Sequence, residues 1–138
     1  MNPRNPGLDV VGGTPPRGFP VDVRTHGFAL TASIYWRAID HVAAKLAKHA
    51  RALLGVTVRL ADLNGPKHGA DKLCRVEVLL GGSPPIVVEE TDQDAGAAMD
   101  RAGHRADHLV TRLLEQRWSK RRQRGRKMVR NRKLLHLA

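Results

Sequence analysis

Apolar and polar positions alternate in four short runs and recur at helical spacing in two longer ones, and this pattern divides most of the chain into elements. Val21 and Val23 alternate with Asp22 and Arg24, the signature of a half-buried strand, and His26-Gly27 ends it. Thr31 or Ser33 can cap a helix, and from there to Leu54 there is no proline or glycine. At about 100° per residue, Tyr35, Ile39, Val42, Leu46, Ala50 and Leu53 share one arc, with Gly55 as the predicted C-cap. Arg37, His41, Lys45, Lys48 and Arg51 occupy the opposite arc. Val56, Val58 and Leu60 mark a second strand, and Cys74, Val76, Val78 and Leu80 a third. After the turn Gly81-Gly82-Ser83-Pro84-Pro85, Ile86 to Glu90 forms a fourth.

Thr91 or Asp92 is placed to cap the last helix, whose arc Ala95, Ala98, Met99, Ala102, Ala106, Leu109, Val110 and Leu113 is small-sided. Gly96 and Gly103 lie seven residues apart on one side of it, which predicts close approach to the first helix. One flank carries Arg101, Arg105, His108 and Arg112; the other carries Asp100 and Asp107.

The element order is therefore β-α-β-β-β-α. A strand that returns through a helix to the same sheet is a parallel neighbour of the first, and the short turns make the later pairs antiparallel. The expected fold is α+β, a four-stranded mixed sheet with both helices on one face, because each apolar arc must be buried against it. Between strands two and three, Asp62-Leu63-Asn64-Gly65-Pro66-Lys67-His68-Gly69-Ala70-Asp71-Lys72 reads as a hairpin tip that presents Lys67, His68 and Lys72 to an anionic surface.

Charge sharpens this picture. The chain has 138 residues and a net charge of +11. Residues 1–116 carry 14 Lys/Arg against 13 Asp/Glu, whereas residues 117–138 carry 10 Lys/Arg and no acid. The expected organisation is a Pro/Gly-rich disordered extension over 1–19, a folded domain over 20–118 and a basic disordered tail over 119–138. The tail residues Lys120, Arg121, Arg122, Arg124, Arg126 and Lys127 are candidate polyanion contacts. The single cysteine, Cys74, excludes an intramolecular disulfide and points inward with the apolar set. The N-terminus has no apolar export signal, and no apolar run approaches membrane-spanning length, so the expected location is the cytoplasm, with no membrane partner. His104 and His108 lie four apart, a workable metal geometry, but no zincin carboxylate, cysteine partner or phosphate loop accompanies them. No catalytic residue, metal, cofactor or small-molecule substrate is expected.

Taken together, several stretches resemble the ribosome hibernation-promoting factor and ribosome-associated inhibitor family. They are the turn Lys45-Leu46-Ala47-Lys48, the hairpin tip from Asp62 to Lys72, Cys74-Arg75-Val76-Glu77, and Asp94-Ala95-Gly96-Ala97-Ala98-Met99-Asp100-Arg101. The resemblance covers about residues 20–118 and departs where the family commonly has an aromatic residue and this chain has Gly96. It implies a translation silencer that binds small-subunit rRNA in the channel used by mRNA and tRNA and keeps ribosomes idle under stress. The long members' C-terminal dimerisation domain is absent from this sequence, so self-driven ribosome pairing is not expected; off the ribosome the expected state is a monomer. The candidate rRNA contacts are Arg37, Lys45, Lys48, Lys67, Lys72, Arg75, Arg101, Arg105 and Arg112. Arg75 is on the strand face that can point away from the helices. The alternative is a generic RNA- or DNA-binding module driven by the basic tail.

Overall fold

The structure is a computed structural model that describes residues 18–63 and 71–137, with side chains as far as Arg132. Four strands, β1 (Val21–His26), β2 (Leu53–Asp62), β3 (Lys72–Leu80) and β4 (Ile86–Asp92), form one sheet in the order β1-β2-β3-β4. β1 runs parallel to β2, and the other two pairs are antiparallel. This is the α+β, β-α-β-β-β-α arrangement that the sequence pattern predicts. Alternation along the strands buries Val23, Val58, Cys74, Val76, Val78 and Val88 beneath the helices, and their neighbours form a helix-free face.

The first helix, α1, spans residues 32–52 without interruption but is not uniform. An α-helical start (Ala32–Ala38) widens into a π turn (Ile39–Ala43), returns to α geometry (Ala44–Leu46) and tightens into a 3-10 end (Ala47–Ala52). Thr31 is its N-cap, accepting a hydrogen bond from the Ile34 amide at 3.1 Å. Tyr35, Ile39, Val42 and Leu46 are buried as expected. Leu53 and Gly55 are not part of the helix. The chain turns extended at Leu53, and Gly55 lies inside β2, where the register with β3 shifts between Leu53 and Gly55. Gly55 is packed against Pro20, and the following Val56 amide donates to the Pro20 carbonyl. Gly55 pairs with Leu79 of β3 as part of the strand, so it is not the C-cap that the sequence suggests. Phe19, assigned above to the N-terminal extension, is fully buried in the core; residues 1–17 lie outside the described residues.

The second helix, α2 (Ala95–Leu137), buries Ala98, Met99, Ala102, Ala106 and Val110, while Leu109 stays partly exposed. Its cap is Asp94, not Thr91 or Asp92. The Asp94 carboxylate accepts from the Ala97 amide at 3.1 Å, and Asp92, still at the end of β4, accepts from the Asp94 amide at 2.9 Å. The strand continues two residues further than the apolar run because Thr91 and Asp92 pair with Leu73 and Lys72 of β3, and Arg101 also bonds to both. Where the sequence predicts a disordered tail, the structure continues α2 as helix to Leu137. The folded first half of α2 removes the nucleation cost, and Arg, Lys and Gln are good helix formers with one glycine and no proline to interrupt them.

Candidate nucleic-acid interface

The two helices do not present their basic stripes as one uninterrupted surface. The acidic flank of α2 faces the basic stripe of α1, and the seam between them is a row of ion pairs. Arg37 approaches Asp94 at 3.8 Å, Lys45 and His41 both reach Asp100, and Lys48 and His49 reach Asp107 at 3.0 and 2.8 Å. Lys45 also donates to the His41 carbonyl at 2.9 Å. The basic flank of α2 faces β4: Arg101 pairs with Asp92 at 2.9 Å and Arg105 with Glu90 at 2.9 Å. Arg112 is exposed and has no ion-pair partner among the described residues.

These pairs act on the carboxylates. Burial pushes the Asp107 carboxyl up, but hydrogen bonds from Lys48 and His49 outweigh it and hold it below the usual range. Hydrogen bonding from Lys45 lowers Asp100, and the Asp94 amide and Arg101 lower Asp92. A depressed carboxyl stabilises the fold above its unfolded value, near pH 4, and that stability is lost as pH falls through the lower folded value. Thermal unfolding followed from neutral to strongly acidic pH is expected to show a fall in Tm beginning below about pH 4. Asp107→Asn is expected to flatten part of that fall; an unchanged profile would mean that the seam does not contribute.

The remaining predicted contacts are dispersed. Lys72 closes the base of the hairpin, pairing with Asp62 at 2.8 Å and with the buried Asp71 at 3.5 Å; the hydrogen bond to Asp62 leads the rise in its pKa. Lys67, with His68, lies outside the described residues. Arg75 projects from the helix-free face, where it pairs with Glu77 and Glu89. Lys120, Arg121, Arg122, Arg124, Arg126 and Lys127 lie on the exposed second half of α2. His104 and His108 are both exposed, and no group of three or more His, Cys, Asp or Glu among the described residues could hold a metal. Burial pushes the Cys74 thiol up to about 12, which leaves it a core residue rather than a nucleophile.

One feature of the helix-free face escapes a reading of the sequence. The strand register places Arg24, Arg59 and Arg75 side by side across β1, β2 and β3. Arg24 is paired with Asp22 at 2.6 Å, whereas the exposed Arg59 has no ion-pair partner among the described residues. Alternation alone places each arginine outward; only the register shows that they share a row. No helix among the described residues is long and apolar enough to cross a membrane.

The fold and its cationic surfaces define an α+β domain of the β-α-β-β-β-α class with an arginine-rich helical extension. Among solved structures, it is similar to the N-terminal domain of Protein Y from Thermus thermophilus. The identity is 27%, the TM-score 0.55, and the match covers 67% of this chain and 94% of that one. It also shares its fold with a ribosomal subunit interface protein from Coxiella burnetii at 13% identity and a TM-score of 0.54, covering 69% of this chain and 97% of that one. These neighbours bear out the resemblance drawn from the sequence motifs. No protein-family model matches the chain, and no curated protein matches it.

Proposed function

We propose that this protein is a non-enzymatic, cytoplasmic, ribosome-binding silencer of translation that occupies the mRNA and tRNA channel of the small subunit through rRNA contacts. The observation that carries this reading is the likeness of the α+β domain to the Protein Y N-terminal domain, which the match covers almost end to end. The ribosomal subunit interface protein shares the same fold. Lys and Arg at the helix surface, the hairpin and the extension supply affinity for phosphates, and the shape of the channel supplies the address. The seam pairs tune that surface: Lys45 and Lys48 are held in place by Asp100 and Asp107 and exchange a carboxylate for a phosphate on binding.

A second reading has its own observation. All 10 Lys/Arg beyond residue 116 occur without a single acid, so the extension alone is a polyanion binder of either RNA or DNA. Co-sedimentation with purified small subunits near physiological salt separates the two. The channel reading expects saturable binding at about one copy per subunit, displaced by initiator tRNA and mRNA. Unsaturable binding that ignores both competitors would overturn it.

A further inference from the structure

Where the 3-10 end of α1 and the entry of β2 meet α2, the surface opens into a groove of about 870 Å³. Ala50 and Leu114 form its apolar floor, and Leu54 and Trp118 stand along it with 63% of each residue exposed. Two large apolar side chains left this open beside a groove mark a surface that takes a partner. The partner's chemistry follows from the arginines. Arg51, Arg117 and Arg121 line the same groove, and none has a carboxylate within ion-pair distance among the described residues. Arg117 is held in position by the Gly81 carbonyl at 2.8 Å. Lys48, also on the groove, is engaged by Asp107, and Glu115 is the only carboxylate among the described lining residues.

An apolar peptide in this groove would desolvate three guanidinium groups without supplying a counter-charge. A nucleotide supplies both halves, a planar base for the indole and phosphates for the guanidiniums. We propose that the groove holds an unpaired nucleotide of single-stranded RNA, its base stacked on Trp118 and its phosphates on Arg51, Arg117 and Arg121. The basic extension begins at this groove, so the strand's neighbouring phosphates continue onto Arg122 and Arg124. The inference deepens the RNA-binding reading above and rests on it.

The test uses the full chain carrying Trp36→Phe, which leaves Trp118 as the only tryptophan. Titration with a short unstructured oligouridylate is expected to quench its fluorescence saturably. Trp118→Ala in the otherwise unaltered chain is expected to weaken oligouridylate binding roughly 5- to 150-fold, with an unchanged salt slope because no charge is removed. Arg121→Gln is expected to lower the slope by about one phosphate contact. No quenching, undiminished affinity of Trp118→Ala, or quenching by an acidic peptide in place of RNA would each overturn the proposal. If Trp118→Ala binds oligouridylate like the parent while the parent still co-sediments with small subunits, the groove assignment falls alone. Saturable quenching by a chain that never binds subunits leaves the groove standing and removes the channel reading.

Discussion

Gly103→Ala is expected to lower the Tm by up to roughly 15 °C, although alanine is the better helix former. A Cβ at position 103 overlaps the His41 carbonyl oxygen and sits 3.1 Å from Val42 Cα and 3.2 Å from the His41 carbonyl carbon. These are backbone atoms of the π turn in α1, so no rotamer change relieves the overlap; one helix must move. Overpacking of this kind costs about 1–3 kcal/mol, occasionally more, against about 1 kcal/mol regained from helix propensity. Each net kcal/mol shifts the Tm of a domain this size by about 4–8 °C. Gly96→Ala is the matched control. Its Cβ meets chiefly the end of the half-exposed Arg37 side chain, which can swing into solvent, so the Tm is expected to hold or rise. Equal effects at the two positions, measured by thermal unfolding, would mean that α1 and α2 are not in backbone contact at Gly103.

That contact shows what the sequence carried and what it did not. The period-two runs around Val58 and Val76 and the small-sided arc of Ala98, Ala102 and Ala106 each need only local spacing, so the strands, their order and the close helix approach were legible. The π turn at Ile39–Ala43 was not, because a uniform advance of about 100° per residue assumes one helical geometry throughout. The same assumption carried α1 too far, to Leu53 and Gly55, which the sheet claims through pairing with β3. Residue type does not single out Asp94 as the cap, because Asp92 is an equally good oxygen acceptor; the length of β4 decides between them.

The candidate surface was legible in residue type but not in pairing. Lys45 and Asp100 lie 55 residues apart, and only tertiary packing reveals that the basic stripe of one helix meets the acidic flank of the other. The row Arg24, Arg59 and Arg75 likewise depends on register. Groove residues such as Arg51 and Trp118 come from different helices, far apart in the sequence. Charge composition pointed to a polyanion; the geometry decides which cations are already engaged. Among the described cations, the least compensated are Arg51, Arg59, Arg112 and those on the second half of α2.

Removal of residues 119–138 is therefore expected to produce the largest loss of RNA affinity of any single change. It deletes nine Lys/Arg and no acid. At about 100° per residue, Lys120, Arg121, Arg122, Arg124, Arg126 and Lys127 spread around the helix instead of lining one side, so about half can meet a single RNA surface at once. Roughly four phosphate contacts correspond to a salt slope of about −3 to −4. Near 0.1 M salt this amounts to a weakening on the order of a thousandfold relative to the intact chain. Affinity for small subunits, measured across a salt series for intact and truncated chains, tests both numbers, and an unchanged slope would exclude the extension from the interface. What survives truncation decides between the two functional readings. If the α+β domain addresses the channel, the truncated chain still binds saturably at low salt and is still displaced by initiator tRNA and mRNA. If the extension is the whole binder, nothing displaceable remains, and the domain with its paired lysines is a scaffold that holds a basic helix.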